Sequence, residues 1–330
     1  MSYKTLTAGS VPTSNSQALA IEVLVGLSET PKRLASRLFY DDEGSRLFQA
    51  ITELDEYYLT RSELEIFKES GPELLGHLAG QSLNVVDLGA GDGHKTAVLL
   101  DHLRGIGADV RYVPIDISEG AMRTLTESMQ RDRPDLEIAG LVSEYFEGIR
   151  WLAHESGRNN LVLFLGSNIG NFDRAHARGF LRQLWNALGP GDYVLLGFDL
   201  KKDIEALLNA YADPHGVTSA FNLNLLHRLN RELGANFDLD QFRHYGTYNA
   251  RTGAMESYLV SLVRQTVRIE ALQCQFEFQP WEPIHTEYSY KYLESDIESL
   301  AAYTGFRILD RRFDPKHWFC STLWAVEKAG

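Results

Sequence analysis

Cysteine is scarce. Cys274 and Cys320 are the only two among 330 residues and lie far apart in the chain. A disulfide framework is therefore excluded, and the usage suits a reducing compartment. None of the ten histidines falls in an H-x-x-x-H or H-E-x-x-H pattern, and neither cysteine has a ligand's spacing. No metal centre is expected. No apolar run has the length of a bilayer crossing. The first residues, "MSYKTLTAGSVPTSNSQ", lack the apolar core of a secretory leader. Residues 1–17 read as a loose tail and the chain as cytoplasmic. Positive charge is also short: 32 Lys and Arg face 45 Asp and Glu, a formal net charge of −13. That balance argues against nucleic acid and anionic membranes and favours a small-molecule partner. Internal repeats and long low-complexity segments are missing too.

What is present is an ordinary supply of core-forming residues, 44% of the chain, enough to bury a substantial interior. Residues 17–37 carry a helical pattern, and so does "FYDDEGSRLFQAITELDEYYLTRSELEIF", which is rich in aromatics. From Leu83 the texture changes. Short apolar runs such as "LNVVDLGAG", "DVRYVPIDIS", "LEIAGLVSEY", "NLVLFLGSNIGN" and "DYVLLGFDL" alternate with amphipathic stretches. This predicts a parallel, doubly wound sheet with helices on both faces.

Near residue 200 the alternation stops. A helical stretch follows, broken at Pro214 and Gly216. "QFRHYGTYNARTGAMESYLVSLVRQTVRIEALQCQFEFQ" then reads as antiparallel sheet turning at "NARTG". A helix ended by Gly305 and two strands close the chain. The expected organisation is α/β. Residues 18–65 and 201–290 form one domain, and residues 66–200 and 291–330 form the doubly wound one. An antiparallel final strand at the edge of a parallel sheet is the finish of class I methyltransferases, whereas a nicotinamide-binding domain more often stays parallel.

Gly89, Gly91 and Gly93 follow the first strand of the alternating region, where glycine lets backbone approach a ligand at a helix N-terminus. Asp116 ends the next strand, where an acid accepts hydrogen bonds from ribose hydroxyls. Glu144 and Tyr145 end the third, an acid and an aromatic suited to an adenine ring. NAD and S-adenosylmethionine both satisfy these features. A tight turn, a helix-capping Asp and a polar strand end satisfy them as well. Near the C-terminus, "WEPIHTEYSYKY" places Glu287 and Ser289 two apart, on one face of a strand. They suit either a nitrogen ring or the wet side of a sheet.

"RLFYDDEGSRLFQAITELDEYYLTRSELEI", "DLGAGDGHKT", "FLGSNIGNF", "AYADPHGVTSAFN" and "TEYSYKY", in this order, resemble the histidine Nα-methyltransferases of ergothioneine biosynthesis. The likeness runs from about residue 30 to the end. It implies a class I (Rossmann-like) S-adenosylmethionine domain with an inserted α+β substrate domain. It also implies a monomer that trimethylates the α-amino group of L-histidine to hercynine. By the same resemblance Gly89, Lys95, Asp116, Glu144 and Tyr145 hold the cofactor. Tyr57, Asn171 and Tyr211 grip the amino acid's amino and carboxylate groups, with Gly166 beside them. Tyr40 and Phe48 line the site, and Glu287 and Ser289 contact the imidazole.

Methyl transfer is mainly a matter of alignment. The reacting groups are assigned to Asn171, whose carboxamide can accept from the amine, and to Tyr40, whose ring face tolerates growing positive charge. Three positions depart from the family pattern. Glu144 stands where Asp is common, Asn168 replaces a smaller polar residue, and Ser257 stands where some relatives carry a bulky apolar side chain. Simpler roles compete: a helix cap for Asn171, core packing for Tyr57 and Tyr58, a solvated first turn for Lys95. The competing functions are a relative acting on another aromatic amino acid or indole amine, and an NAD(P)-binding oxidoreductase.

Overall fold

The computed structural model describes residues 3–5, 15–117, 119–152 and 157–328. Its helices are α1 (Asn15–Ser28), α2 (Asp42–Thr52), α3 (Tyr58–Leu74), α4 (His94–Gly105), α5 (Glu119–Asp132), α6 (Tyr145–Leu152), α7 (Arg174–Ala187), α8 (Ile204–Tyr211), α9 (Val217–Leu233) and α10 (Glu294–Thr304). The strands are β1 (Tyr3–Thr5), β2 (Ser82–Leu88), β3 (Asp109–Asp116), β4 (Glu137–Ile138), β5 (Gly140–Val142), β6 (Asn159–Phe164), β7 (Tyr193–Asp199), β8 (Phe242–Asn249), β9 (Ala254–Ser261), β10 (Gln265–Ile269), β11 (Cys274–Phe278), β12 (Pro283–Tyr290), β13 (Phe306–Phe313) and β14 (Phe319–Val326). The chain divides into two compact units. One comprises β1, Leu59–Leu200 and the chain from Tyr292 onward; the other runs from α1 to Tyr58 and from Lys201 to Lys291. The boundary expected at residue 65 falls inside the continuous helix α3, so the division comes at its first turn instead.

The first unit is an open sheet in the order β1-β5-β3-β2-β6-β7-β14-β13, with β4 beside β3. Strands β1 to β7 run parallel; β14 is antiparallel to β7, and β13 antiparallel to β14. Strand β2 pairs on one side with β3 and on the other with β6. The winding direction reverses there, which makes the carboxyl ends of β2 and β6 the natural ligand position of an open α/β sheet. The run "LNVVDL" forms the central strand because helices cover both faces. Leu83, Val85, Val86 and Leu88 are at most 1% exposed, each worth about 1.5–3 kcal/mol of burial. Two expectations change. Tyr3–Thr5, placed in the loose tail, pairs with β5 as an edge strand; the rest of the tail before Asn15 lies outside the described residues. The stretch read as one strand over "LEIAGLVSEY" is two short pieces, β4 and β5.

The second unit holds a three-stranded antiparallel sheet, β12-β9-β8, and a separate β10-β11 hairpin, so the β-rich segment forms two sheets rather than one. The helix expected over residues 17–37 stops at Ser28, and a 3-10 turn follows at Ser36–Phe39; Pro31, which has no N–H, cannot extend it. Helices α8 and α9 pack on strands β8 and β9, and α2 packs on α9. Strand β12 is not regular. Its pairing with β9 shifts between His285 and Glu287, a bulge that reverses which side chains face the helices. Among the described residues, no helix is long and apolar enough to cross a membrane.

Candidate active site

In the first unit the glycine loop after β2 takes a backbone that glycine adopts freely. Gly89, Gly91 and Gly93 have φ of 73°, 56° and 71°, which L side chains rarely adopt. A Cβ on Gly89 would sit 2.8 Å from the Tyr145 hydroxyl oxygen. On Gly93 it would sit 2.4 Å from Leu125 of α5, so that glycine serves helix packing. A Cβ on Gly91 would meet nothing within 4 Å.

Asp116 ends β3, and its carbonyl accepts the Ser143 N–H at 3.0 Å, which brings the Ser143–Tyr145 corner alongside. Burial raises the Tyr145 phenol, and the charges of Asp116, Asp87 and Glu144 raise it further. The fold thus gathers Gly89, Asp116, Glu144 and Tyr145 around one strand end.

Two residues that sequence reasoning missed hold this corner. Asp87 accepts from Thr96 Oγ1 at 2.6 Å and Tyr112 Oη at 3.0 Å. Burial pushes its carboxyl up to about 6. Glu63, from α3, has a fully buried side chain that accepts from Lys95 Nζ at 2.5 Å. It also accepts from the Gly166 N–H, at 2.9 and 3.1 Å. Lys95 is therefore not a solvated first-turn residue but half of an ion pair. Gly166 has φ of 69°, and a Cβ there would lie 3.3 Å from Lys95 Nζ. Nothing in "TRSELEIF" distinguishes Glu63 from a surface residue of an amphipathic helix.

Asn171 closes a 3-10 turn, Asn168–Asn171. It does not cap the next helix. That role belongs to Asp173, whose Oδ1 accepts from the Ala175 and His176 N–H groups at 2.9 and 2.8 Å. Among the described residues, no hydrogen bond involves the Asn171 carboxamide.

In the second unit four aromatic rings follow one another. Tyr40 lies 5.7 Å from Phe48, Phe48 lies 6.2 Å from Tyr57, and Tyr57 lies 6.3 Å from Tyr211. Phe221 of α9, also missed from sequence, backs Tyr40 and Phe48, each at 5.9 Å. Asp41 fixes the start of this wall. It caps α2 through the Gly44 N–H at 2.8 Å, and Asn224 and Arg231 bind it at 2.8 and 2.6 Å. Burial works to raise its carboxyl, but these donors hold it below the usual range. Tyr211 ends α8 over Gly246 of β8, where a Cβ would lie 2.9 Å from the Tyr211 carbonyl oxygen. Only a glycine lets the helix end settle that close.

The Tyr211 hydroxyl meets Ser289 Oγ at 2.7 Å. Glu287 pairs in register with Ser257 and Ser289 with Met255, so both face the same way. The bulge sends His285 to the other face, where its ring lies 5.2 Å from Tyr258 and 3.9 Å from Tyr288. Among the described residues, no hydrogen bond satisfies the Glu287 carboxyl. Burial pushes it up to about 7, against the opposing pull of the Lys291 charge. Ser257, 2% exposed, lies 3.5 Å from His244 Nε2, and burial pushes that imidazole down to about 4.

A poorly solvated carboxyl with no hydrogen bond among the described residues, beside a hydroxyl, is able to accept from a ligand N–H, and perturbed acids of this kind make a candidate site. The structure thus brings Tyr40, Phe48, Tyr57, Tyr211, Glu287 and Ser289 together in one unit. Gly89, Gly91, Lys95, Asp116, Glu144, Tyr145, Gly166 and Asn171 lie in the other.

Comparison with known proteins adds a second line. The family described as histidine-specific, SAM-dependent methyltransferase matches residues 19–326. The chain is 38% identical over 294 residues to a histidine N-alpha-methyltransferase of Mycolicibacterium smegmatis, covering 89% of this chain and 90% of that protein. It is 30% identical to ergothioneine biosynthesis protein 1 of Schizosaccharomyces pombe, over 88% of this chain but 39% of that longer protein. It is 29% identical to a 4-dimethylallyltryptophan N-methyltransferase of Claviceps fusiformis, over 87% and 89% of the two chains. With the reversed strand β14, the glycine loop and the match across nearly its whole length, the chain belongs to the histidine-specific, S-adenosylmethionine-dependent methyltransferases.

Proposed function

We propose that the protein methylates the α-amino nitrogen of L-histidine three times to give hercynine, the opening step of ergothioneine biosynthesis. The observation that carries this reading is the Glu287–Ser289 pair. A carboxyl with no hydrogen-bond partner among the described residues and a hydroxyl share one strand face, as recognition of a ring bearing N–H and N groups requires.

The first unit's residues fit the cofactor. A Cβ on Gly89 would fill the approach beside Tyr145, and Asp116 ends the strand where ribose hydroxyls are accepted. Gly91, Glu144 and Tyr145 complete that set. S-adenosylmethionine supplies, when bound, an electrophilic methyl on a sulfonium. The chain's own work is placement. Lys95, held by Glu63, contributes a fixed positive charge. Gly166 contributes space, because its N–H is already given to Glu63. Asn171, whose carboxamide makes no hydrogen bond among the described residues, is suited to accept from the amine and donate to the carboxylate. Tyr57 and Tyr211 donate to the carboxylate. Tyr40 and Phe48 offer ring faces to the growing cationic character of the nitrogen. No residue is required as a strong base; the protons leave to solvent. In this assignment the doubly wound unit serves the cofactor and also carries Asn171, the other unit carries the remaining amino-acid contacts, and the protein is a cytoplasmic monomer.

The test is to incubate the protein with S-adenosylmethionine and each common amino acid and follow product masses. A gain of three methyls on histidine alone is expected. Methylated tryptophan, or no transfer at all, overturns the reading.

A further inference from the structure

The face that Glu287 takes depends on one extra residue in β12. His285 pairs with Tyr258 and Glu287 with Ser257, so Thr286 stands between them outside the register. In unbroken antiparallel register, Glu287 would fall opposite Glu256, on the face His285 takes. Two acids would then oppose each other, which is destabilising, and the carboxyl would leave the face it shares with Ser289. A slip of one position moves side chains to the other face of a sheet, so the extra residue has to be pinned.

Thr286 carries the pin. It is 1% exposed, and its hydroxyl lies 3.1 Å from Asn222 Oδ1 of α9 and 3.0 Å from the Ser257 carbonyl oxygen of β9. Asn222, also 1% exposed, is fixed in turn, because its Nδ2 donates to the Thr218 carbonyl one helical turn back at 3.1 Å. A carbonyl only accepts. The carboxamide nitrogen therefore faces Thr218, and the oxygen faces the Thr286 O–H. Asn is a poor residue for a helix interior, and burying polar groups is costly unless they are hydrogen-bonded. Two such side chains, 64 residues apart in sequence, meet at the bulge. Ser257, whose carbonyl they share, is also the register partner of Glu287.

We infer that Thr286 and Asn222 are positioning residues of ring recognition: together they hold the bulge that turns the Glu287 carboxyl to the face of Ser289. Neither needs to touch the amino acid. They act through the backbone of β12, which a bulge bends and re-aims. This inference rests on the histidine reading.

The experiment is a double-mutant cycle on the whole chain. Thr286→Val keeps the branched shape and removes the hydroxyl, and Asn222→Leu removes its partner. Each is made in the wild type and in Glu287→Ala, and kcat/KM for histidine is measured with S-adenosylmethionine saturating. Either change should lower kcat/KM at least tenfold in the wild type, mainly through KM. In Glu287→Ala the loss should be less than twofold, because no carboxyl remains to be aimed. The KM for S-adenosylmethionine should stay within twofold. Thr286→Ser, which keeps the hydroxyl, should stay within threefold of wild type. Three results overturn the inference while leaving histidine methylation standing: equal losses in both backgrounds, a loss below twofold in the wild type, or a Glu287→Ala enzyme as active as wild type. Should neither variant fold, Thr286→Ser decides: a loss above threefold overturns the inference and a smaller one supports it. A wild type that leaves histidine unmethylated refutes the functional reading itself, and the inference with it.

Discussion

Replacing Glu287 with Gln should make the free protein more stable and the enzyme worse. The folded Glu287 carboxyl sits at about 7, raised by burial from an ordinary 4.5. Between those two values the native state holds a proton that the unfolded chain has released. Stability therefore falls as pH rises through this window: the contribution is fully present below pH 4.5 and lost above about 7. Each unit of pKa difference is worth about 1.4 kcal/mol, so the loss is on the order of 3 kcal/mol. A Gln side chain resembles the protonated acid and carries no such penalty. Thermal melts of both proteins should coincide near pH 4. By pH 8 Glu287→Gln should melt higher by roughly 4 °C, taking an unfolding entropy of about 2.1 cal/mol/K per residue. Over the same range the KM for histidine should rise at least tenfold in the variant while that for S-adenosylmethionine stays within twofold. A Tm difference that is constant with pH, or a wild type more stable at pH 8, would refute the reasoning.

Other perturbations separate the remaining roles. Gly246→Ala puts a methyl 2.9 Å from the Tyr211 carbonyl oxygen, so the end of α8 must move; the KM for histidine should rise several-fold with S-adenosylhomocysteine affinity unchanged. Gly89→Ala combines a left-handed backbone with a contact at 2.8 Å to the Tyr145 hydroxyl; it should weaken S-adenosylhomocysteine at least tenfold by calorimetry and cost about 1 kcal/mol of stability. Asp173→Ala removes the cap of α7 and should cost about 1 kcal/mol in denaturant melts with kcat intact. Asn171→Ala should do the reverse, leaving the melt unchanged and lowering kcat; a loss of stability as large as that of Asp173→Ala would return Asn171 to a structural role.

Much of this molecule was legible from its residues alone. The alternation from Leu83 to Leu200 specified a parallel doubly wound sheet, because a strand covered on both faces must be apolar throughout and an amphipathic helix must follow it. The glycines after β2 and the acid ending β3 marked the proposed cofactor end by the same local logic, and "NARTG" marked its hairpin. Resemblance over long segments supplied the family and the proposed amino-acid-binding set.

What stayed hidden was pairing at long range, which periodicity does not encode. Glu63 is an ordinary polar position of a helix until the fold sets it against Lys95, 32 residues on. Lys291 looks like a surface charge beside a strand until α8 brings Tyr211 to it across 80 residues. The alternation of β12, read regularly, puts His285, Glu287 and Ser289 on one face. The extra residue of the bulge breaks that count and turns His285 away. Sequence determined which elements form and which chemistry is available to them. Tertiary structure decided which polar groups are dried, paired or left open, because the cost of burying a charge depends on neighbours that lie far along the chain.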